Sequence, residues 1–185
     1  MNVSNKKLLQ GVNLYLVGMM GAGKTTVGKL LSQDLGYRFL DTDSLISQVA
    51  GKSINEIFAD DGEAAFRQLE TNVLAEVSSY KNLTIATGGG IVVDPFNWSY
   101  LQHGIVVWLD APIEVLHSRL QGDQTRPLLQ DKDPLGKLQA ILEERRPLYA
   151  NADVHIHVES KSTPEQLTML VLAEVKKAVK SSVVN

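Results

Sequence analysis

Five short runs of apolar or β-branched residues punctuate the chain: Val12–Val17, Tyr37–Leu40, Leu83–Ala86, Ile105–Leu109 and Val154–Val158. The stretches between them carry apolar positions at helical spacing. This alternation predicts an α/β fold, a parallel sheet covered by helices on both faces. No repeat or low-complexity linker interrupts it, so the 185 residues are expected to form one domain, 1–185.

Two helix starts are marked. Ser53-Ile-Asn-Glu56 is a capping-box pattern ahead of a helix over Ile54–Phe58. Thr163-Pro164-Glu165-Gln166 offers an N-cap, a proline at the first helical position and a glutamine at the third, ahead of a helix running to about Lys180. Residues 120–137 break the periodicity with Gly122, Asp123, Pro127, Asp131, Asp133, Pro134 and Gly136. A polar loop of this length in a compact domain points to function, and a lid over a ligand is its natural reading.

The chemistry begins where the first apolar run ends. Residues 18–25 read Gly18-Met-Met-Gly21-Ala22-Gly23-Lys24-Thr25, the spacing G-x-x-x-x-G-K-[ST], and a helical pattern from Thr26 to Leu35 follows. Strand, glycine-rich loop and helix in this order form a phosphate-binding loop. Its backbone N–H groups and the positive helix end cradle an anion, Lys24 reaches terminal phosphates and the Thr25 hydroxyl suits Mg²⁺. The chain therefore binds a nucleoside triphosphate.

Bulk properties narrow the rest. Net charge is −3, so no broad nucleic-acid footprint is expected. The absence of cysteine excludes disulfides, thiol catalysis and cysteine zinc sites. No apolar stretch is long enough to span a membrane. Val12–Met20 resembles a signal-peptide core, but it lacks a small-residue cleavage pattern and runs into the phosphate loop. The chain is expected to be cytoplasmic, or a mature form already trimmed, and is taken as a monomer.

Further candidates stand at the ends of the apolar runs, where a parallel sheet gathers its ligand-binding groups. Asp41-Thr42-Asp43, taken as extended chain, would point both carboxylates to one side. One could hold Mg²⁺ through water while the other accepts a proton from an alcohol; the alternative is that Asp43 merely caps the next helix. Arg67 and Glu70 are helical neighbours and, read locally, an ordinary surface pair. Gly88-Gly89-Gly90 would leave backbone N–H groups open to a ligand. Arg126 lies in the expected lid, suited to a transferring phosphoryl group. Arg145 and Arg146 could clamp a carboxylate or complement a helix end. His155 and His157 invite a metal reading, but with no third ligand in view they read as strand-face histidines. Trp98 and Trp108 read as packing residues.

Taken in order, Gly18–Thr25, Asp41-x-Asp43, Gly62-Glu-x-x-Phe66-Arg67-x-x-Glu70, Gly88-Gly-Gly90, Arg126-Pro-Leu-Leu129 and Arg145-x-x-Leu-Tyr149 resemble the shikimate kinases, over residues 11–172. The resemblance implies a three-layer nucleoside-monophosphate-kinase-like fold: a five-stranded parallel sheet in order 2-3-1-4-5, a substrate-binding region over about 41–70 and a lid over about 119–137. It implies transfer of the ATP γ-phosphate to the 3-hydroxyl of shikimate, on the route to chorismate and aromatic amino acids. Gly21, Ala22, Gly23, Lys24, Thr25 and Thr26 would hold ATP, with Arg119 near the adenine and Arg126 over the phosphates. Thr25 and Asp41 would hold Mg²⁺. Lys24, Asp43 and Arg126 would be catalytic. Asp43, Arg67, Gly88, Gly89, Gly90 and Arg145 would bind shikimate. A related kinase acting on gluconate is the alternative on the same scaffold. Arg145 is preferred to Arg146 because it keeps the spacing to Leu148-Tyr149.

Overall fold

The computed structural model describes residue 5, residues 8–121 and residues 133–183. Five strands form one parallel sheet: β1 (Leu14–Val17), β2 (Arg38–Asp41), β3 (Leu83–Ala86), β4 (Ile105–Asp110) and β5 (Val154–His157). Their order is β2-β3-β1-β4-β5, as the resemblance implies. Every residue of β1 and β3 is buried, which explains their continuous apolar runs: a central parallel strand is covered on both faces. At the β5 edge burial alternates, with Val154 and Ile156 inward and the two histidines outward.

Among the described residues, eight helices cover this sheet: α1 (Lys24–Leu35), α2 (Thr42–Ala50), α3 (Ile54–Asp60), α4 (Gly62–Ser78), α5 (Pro95–Leu101), α6 (Ile113–Leu120), α7 (Pro134–Tyr149) and α8 (Pro164–Val183). Both helix-start signals form. Ser53 and Glu56 make the reciprocal bonds of a capping box, so α3 starts at Ile54, and it runs on to Asp60. Thr163 and Gln166 exchange the equivalent pair at the start of α8. Helix α1 starts two residues earlier than the apolar pattern suggests, because Gly23 supplies its N-cap in the left-handed region (φ 98°). Gly18 meets a second constraint: at φ 135°, its Cβ would also lie 2.5 Å from the Leu109 carbonyl oxygen. The phosphate loop is thereby pressed against β4.

One contiguous core runs through the described residues, from Leu9 to Val175. Trp108 belongs to it, stacked on Tyr149 of α7 at 5.7 Å. Among the described residues no helix is long and apolar enough to cross a membrane.

Candidate active site

A cavity of about 530 Å³ opens at the carboxyl edge of the sheet, a volume suited to a small-molecule ligand. The phosphate loop and the first turn of α1 form its floor, with Gly21, Gly23, Lys24, Thr25 and Thr26. Arg119, from the last turn of α6, lines it and donates to the Gly21 carbonyl at 3.1 Å. Ser162, Pro164 and Leu167 close the far side. Sequence reading missed these three; the available signal was that the loop after β5 must also emerge at this edge. Lys24 is buried, and its ammonium donates to the carbonyls of Gly18 (2.7 Å) and Met19 (2.8 Å), which stretches it back along the loop.

Asp41 lines the same cavity from the end of β2. Its Oδ2 accepts from the Thr25 hydroxyl at 2.7 Å, so two hard oxygen donors stand side by side beside the phosphate loop. That donor set fits Mg²⁺, which binds oxygens and retains water. Its Oδ1 accepts from the backbone N–H groups of Asp43 and Ser44, making Asp41 the N-cap of α2. Asp41 and Asp43 are therefore not consecutive same-side residues of an extended strand. The strand ends at Asp41, and Asp43 sits in the first turn of α2. The cap belongs to Asp41, which leaves the Asp43 side chain to another use.

Asp43 lines the 530 Å³ cavity and also an adjoining smaller pocket, and among the described residues only Met20 and Gly89 share this double position. The smaller pocket gathers Phe58, Phe66, Arg67, Glu70, Gly88, Gly90 and Arg145. Arg67 and Glu70 are not an ordinary surface pair: Glu70 is 1% exposed and Arg67 20%, and they bond at 2.7 Å. Glu63 takes the other end of the Arg67 guanidinium at 3.1 Å. Burial pushes the Glu70 carboxyl above its usual range, and the Arg67 charge only partly opposes this. Glu70 Oε1 and Arg145 Nε are buried without a hydrogen-bond partner among the described residues. A pocket holding unsatisfied charged groups of both signs suits a polar, anionic ligand.

The glycine run works differently from the expectation. The Gly88 N–H is not open to a ligand, because it donates to the buried Thr42 hydroxyl at 3.0 Å. The glycines are instead demanded by what lies against them. A Cβ at Gly88 would stand 2.7 Å from both Asp43 Oδ1 and Glu70 Oε1, and one at Gly90 would overlap the Arg67 guanidinium. Gly89 packs against the phosphate loop, with a Cβ position 3.3 Å from Met20 N. Its carbonyl accepts from the Tyr149 hydroxyl at 2.5 Å.

The two arginines of α7 part company. Arg145 is 7% exposed and lines the smaller pocket, whereas Arg146 turns away to Asp110 at 3.1 Å. Arg126 and most of the expected lid lie outside the described residues. The histidines do have a third partner. Asp110, at the end of β4, meets His155 at 3.0 Å and His157 at 3.6 Å.

With this geometry in view, the known relatives fall into place. The family model for shikimate kinase matches residues 20–176. A shikimate kinase of Trichormus variabilis is 60% identical over 178 residues, 96% of this chain and 98% of that protein. The structure of shikimate kinase from Acinetobacter baumannii in complex with shikimate aligns with a TM-score of 0.85 at 40% identity, covering 98% of this chain and 99% of that one. A gluconokinase from Sinorhizobium meliloti aligns with a TM-score of 0.60 at 14% identity, over 94% of this chain and 97% of that one, a likeness that carries the fold alone.

Proposed function

The chain belongs to the shikimate kinase family, and on that premise we propose how its residues divide the reaction between the two pockets. The reaction itself is ATP-dependent: the γ-phosphate passes to the 3-hydroxyl of shikimate, giving shikimate 3-phosphate and ADP, a step towards chorismate and aromatic amino acids. The observation that carries the division is the place of Asp43 on the wall common to both pockets. A residue that accepts a proton from the attacking hydroxyl must stand between donor and acceptor.

ATP occupies the larger cavity. Gly21, Ala22, Gly23 and Thr26 hold its phosphates by backbone and hydroxyl groups, and Arg119 lies towards the adenine. Lys24 neutralises charge on the phosphate oxygens. Thr25 and Asp41 would hold Mg²⁺, which would supply positive charge beside the phosphates. Shikimate occupies the smaller pocket. Its carboxylate is clamped by Arg67 and Arg145, whose planar guanidinium groups suit bidentate contact. Gly88, Gly89 and Gly90 contribute backbone to the wall it contacts. As the 3-hydroxyl oxygen attacks the γ-phosphorus and the β–γ bond breaks, Asp43 takes the hydroxyl proton. Arg126, outside the described residues, would meet the transferring group from the lid expected over about 119–137, and residues 41–70 would form the shikimate-binding region. Positioning and charge stabilisation carry most of such a transfer. The chain acts as a cytoplasmic monomer in a single domain.

Asp43→Asn keeps the shape and removes the base. It is expected to lower kcat about 10²- to 10⁴-fold in a coupled ADP-release assay while ATP binding is retained. A kcat within about threefold of wild type would take the proton-accepting role from Asp43. Gluconate offered in the same assay is expected to give no turnover above background. Its carboxylate would meet the arginine pair, but its open chain does not present the ring hydroxyls beside Asp43.

A further inference from the structure

Asp110, His155 and His157 form a cluster that the phosphoryl-transfer site does not use. The register of the sheet assembles it: Asp110 pairs with His157 and Trp108 with His155 across β4 and β5. The two histidines are two residues apart on a strand and so share a face. One donor atom from each of the three side chains lies within 4.8 Å of the others.

We propose that these three residues form a second metal site, one that takes a transition-metal ion of the Zn²⁺ class rather than Mg²⁺. The donor chemistry makes the distinction. Mg²⁺ is bound through oxygens, as Thr25 and Asp41 offer, whereas two imidazoles and one carboxylate suit zinc, nickel or copper. The spacing agrees. Zinc bonds of about 2.0–2.2 Å place two ligand atoms of a tetrahedral site roughly 3.3–3.5 Å apart. The two contacts to Asp110 Oδ2, at 3.0 and 3.6 Å, straddle that separation.

The site is also held in place. His155 stacks on Trp108 with ring centroids 4.0 Å apart and planes 5° from parallel, so packing orients its ring. Asp110 is 5% exposed, and its Oδ1 is buried without a hydrogen-bond partner among the described residues. That oxygen has a lone pair left to offer an ion. His157 is 77% exposed, which gives an ion a route in and leaves room for water in a fourth position. The guanidinium of Arg146 now stands on Asp110 Oδ2 at 3.1 Å, as a competing cation. The Arg146 side chain is half exposed, and its guanidinium also lies 5.8 Å from the Trp108 ring centroid, so an ion of higher charge must displace it from both contacts. Bound metal would tie the end of β4 to the end of β5, next to the loop that leads to Ser162, Pro164 and Leu167 of the nucleotide cavity.

The test uses the full chain, stripped with a chelator and kept in excess Mg²⁺ so that the oxygen site is occupied. Calorimetric titration with Zn²⁺ is expected to show saturable uptake of one ion per chain. His157→Ala, an exposed change that spares the fold, should weaken it more than about tenfold. Arg146→Ala should tighten it by removing the competitor. Ni²⁺ or Cu²⁺ should quench Trp108 fluorescence saturably in the wild type and not in His157→Ala. Absence of saturable Zn²⁺ uptake, equal affinity in His157→Ala, or weaker binding in Arg146→Ala would each overturn the proposal.

Discussion

Replacing Gly90 with alanine adds one methyl group where the structure has no room for it. Gly90 is outside the left-handed region, so alanine brings no backbone strain and acts only through its Cβ. That atom would lie 2.7 Å from both Cζ and Nη2 of Arg67, against 3.4 Å for the start of ordinary contact, and nearer still to Nη1. The guanidinium is the far end of a flexible side chain, so it yields before the backbone does and retreats by about an ångström or more. Its 2.7 Å bond to Glu70 then lengthens beyond hydrogen-bonding range, and its reach to a carboxylate shifts by the same amount. A charge-assisted hydrogen bond contributes about 1.5–3 kcal/mol. The KM for shikimate should therefore rise roughly ten- to a hundredfold, with the KM for ATP unchanged. Thermal stability should fall by several degrees, because Glu70 stays buried with a poorer partner. Steady-state kinetics with each substrate varied in turn reads both constants. A shikimate KM within about threefold of wild type, or an ATP KM rising in step with it, would refute the view that Gly90 exists to make room for Arg67.

Three further outcomes are expected. Arg145→Ala should raise the shikimate KM more than about thirtyfold, while Arg146→Ala leaves it within about threefold; the reverse ranking in the same kinetics would exchange their roles. Thr25→Ala should shift the Mg²⁺ dependence of the rate at fixed ATP by about tenfold, and an unchanged Mg²⁺ titration would remove Thr25 from the metal site. Burial pushes the Tyr149 hydroxyl from its ordinary value of 10 up to about 12. Between those pH values the unfolded chain loses this proton first, so the contribution is intact below pH 10 and declines towards pH 12, by about 3 kcal/mol in all. Urea titrations across that range should therefore show a shallower alkaline loss for Tyr149→Phe, and parallel curves for the two proteins would deny the effect.

Much of this arrangement was legible from local pattern. The phosphate loop, both capping boxes and the alternation of strands with helices are each written within a few consecutive residues. What stayed hidden depends on partners far apart in the chain. Asp41 and Asp43 looked like two faces of a strand because nothing in three residues reveals that Asp41 caps a helix. The Arg67–Glu70 pair looked like a surface pair because burial is set by α3 and by the Gly88–Gly90 turn. The glycines suggested open N–H groups, yet Thr42 takes one of them and the Asp43, Glu70 and Arg67 side chains fill the space. Arg145 and Arg146 differ by one position, about 100° around a helix, and only packing decides which faces the pocket. His155 and His157 lacked a third ligand because Asp110 lies on a neighbouring strand, 45 residues away from His155.

The two oxygens of Asp41 face different tasks: one meets the Thr25 hydroxyl, the other caps the helix that carries Asp43. The carboxylate is thus a hinge pin between the donor and acceptor halves of the site. Whatever draws on one oxygen changes the charge available to the other, and so the seating of Asp43. Coupling of this kind is reciprocal by thermodynamic necessity. Any factor by which nucleotide changes the affinity for shikimate is the factor by which shikimate changes the affinity for nucleotide, and a single aspartate is placed to carry it in both directions.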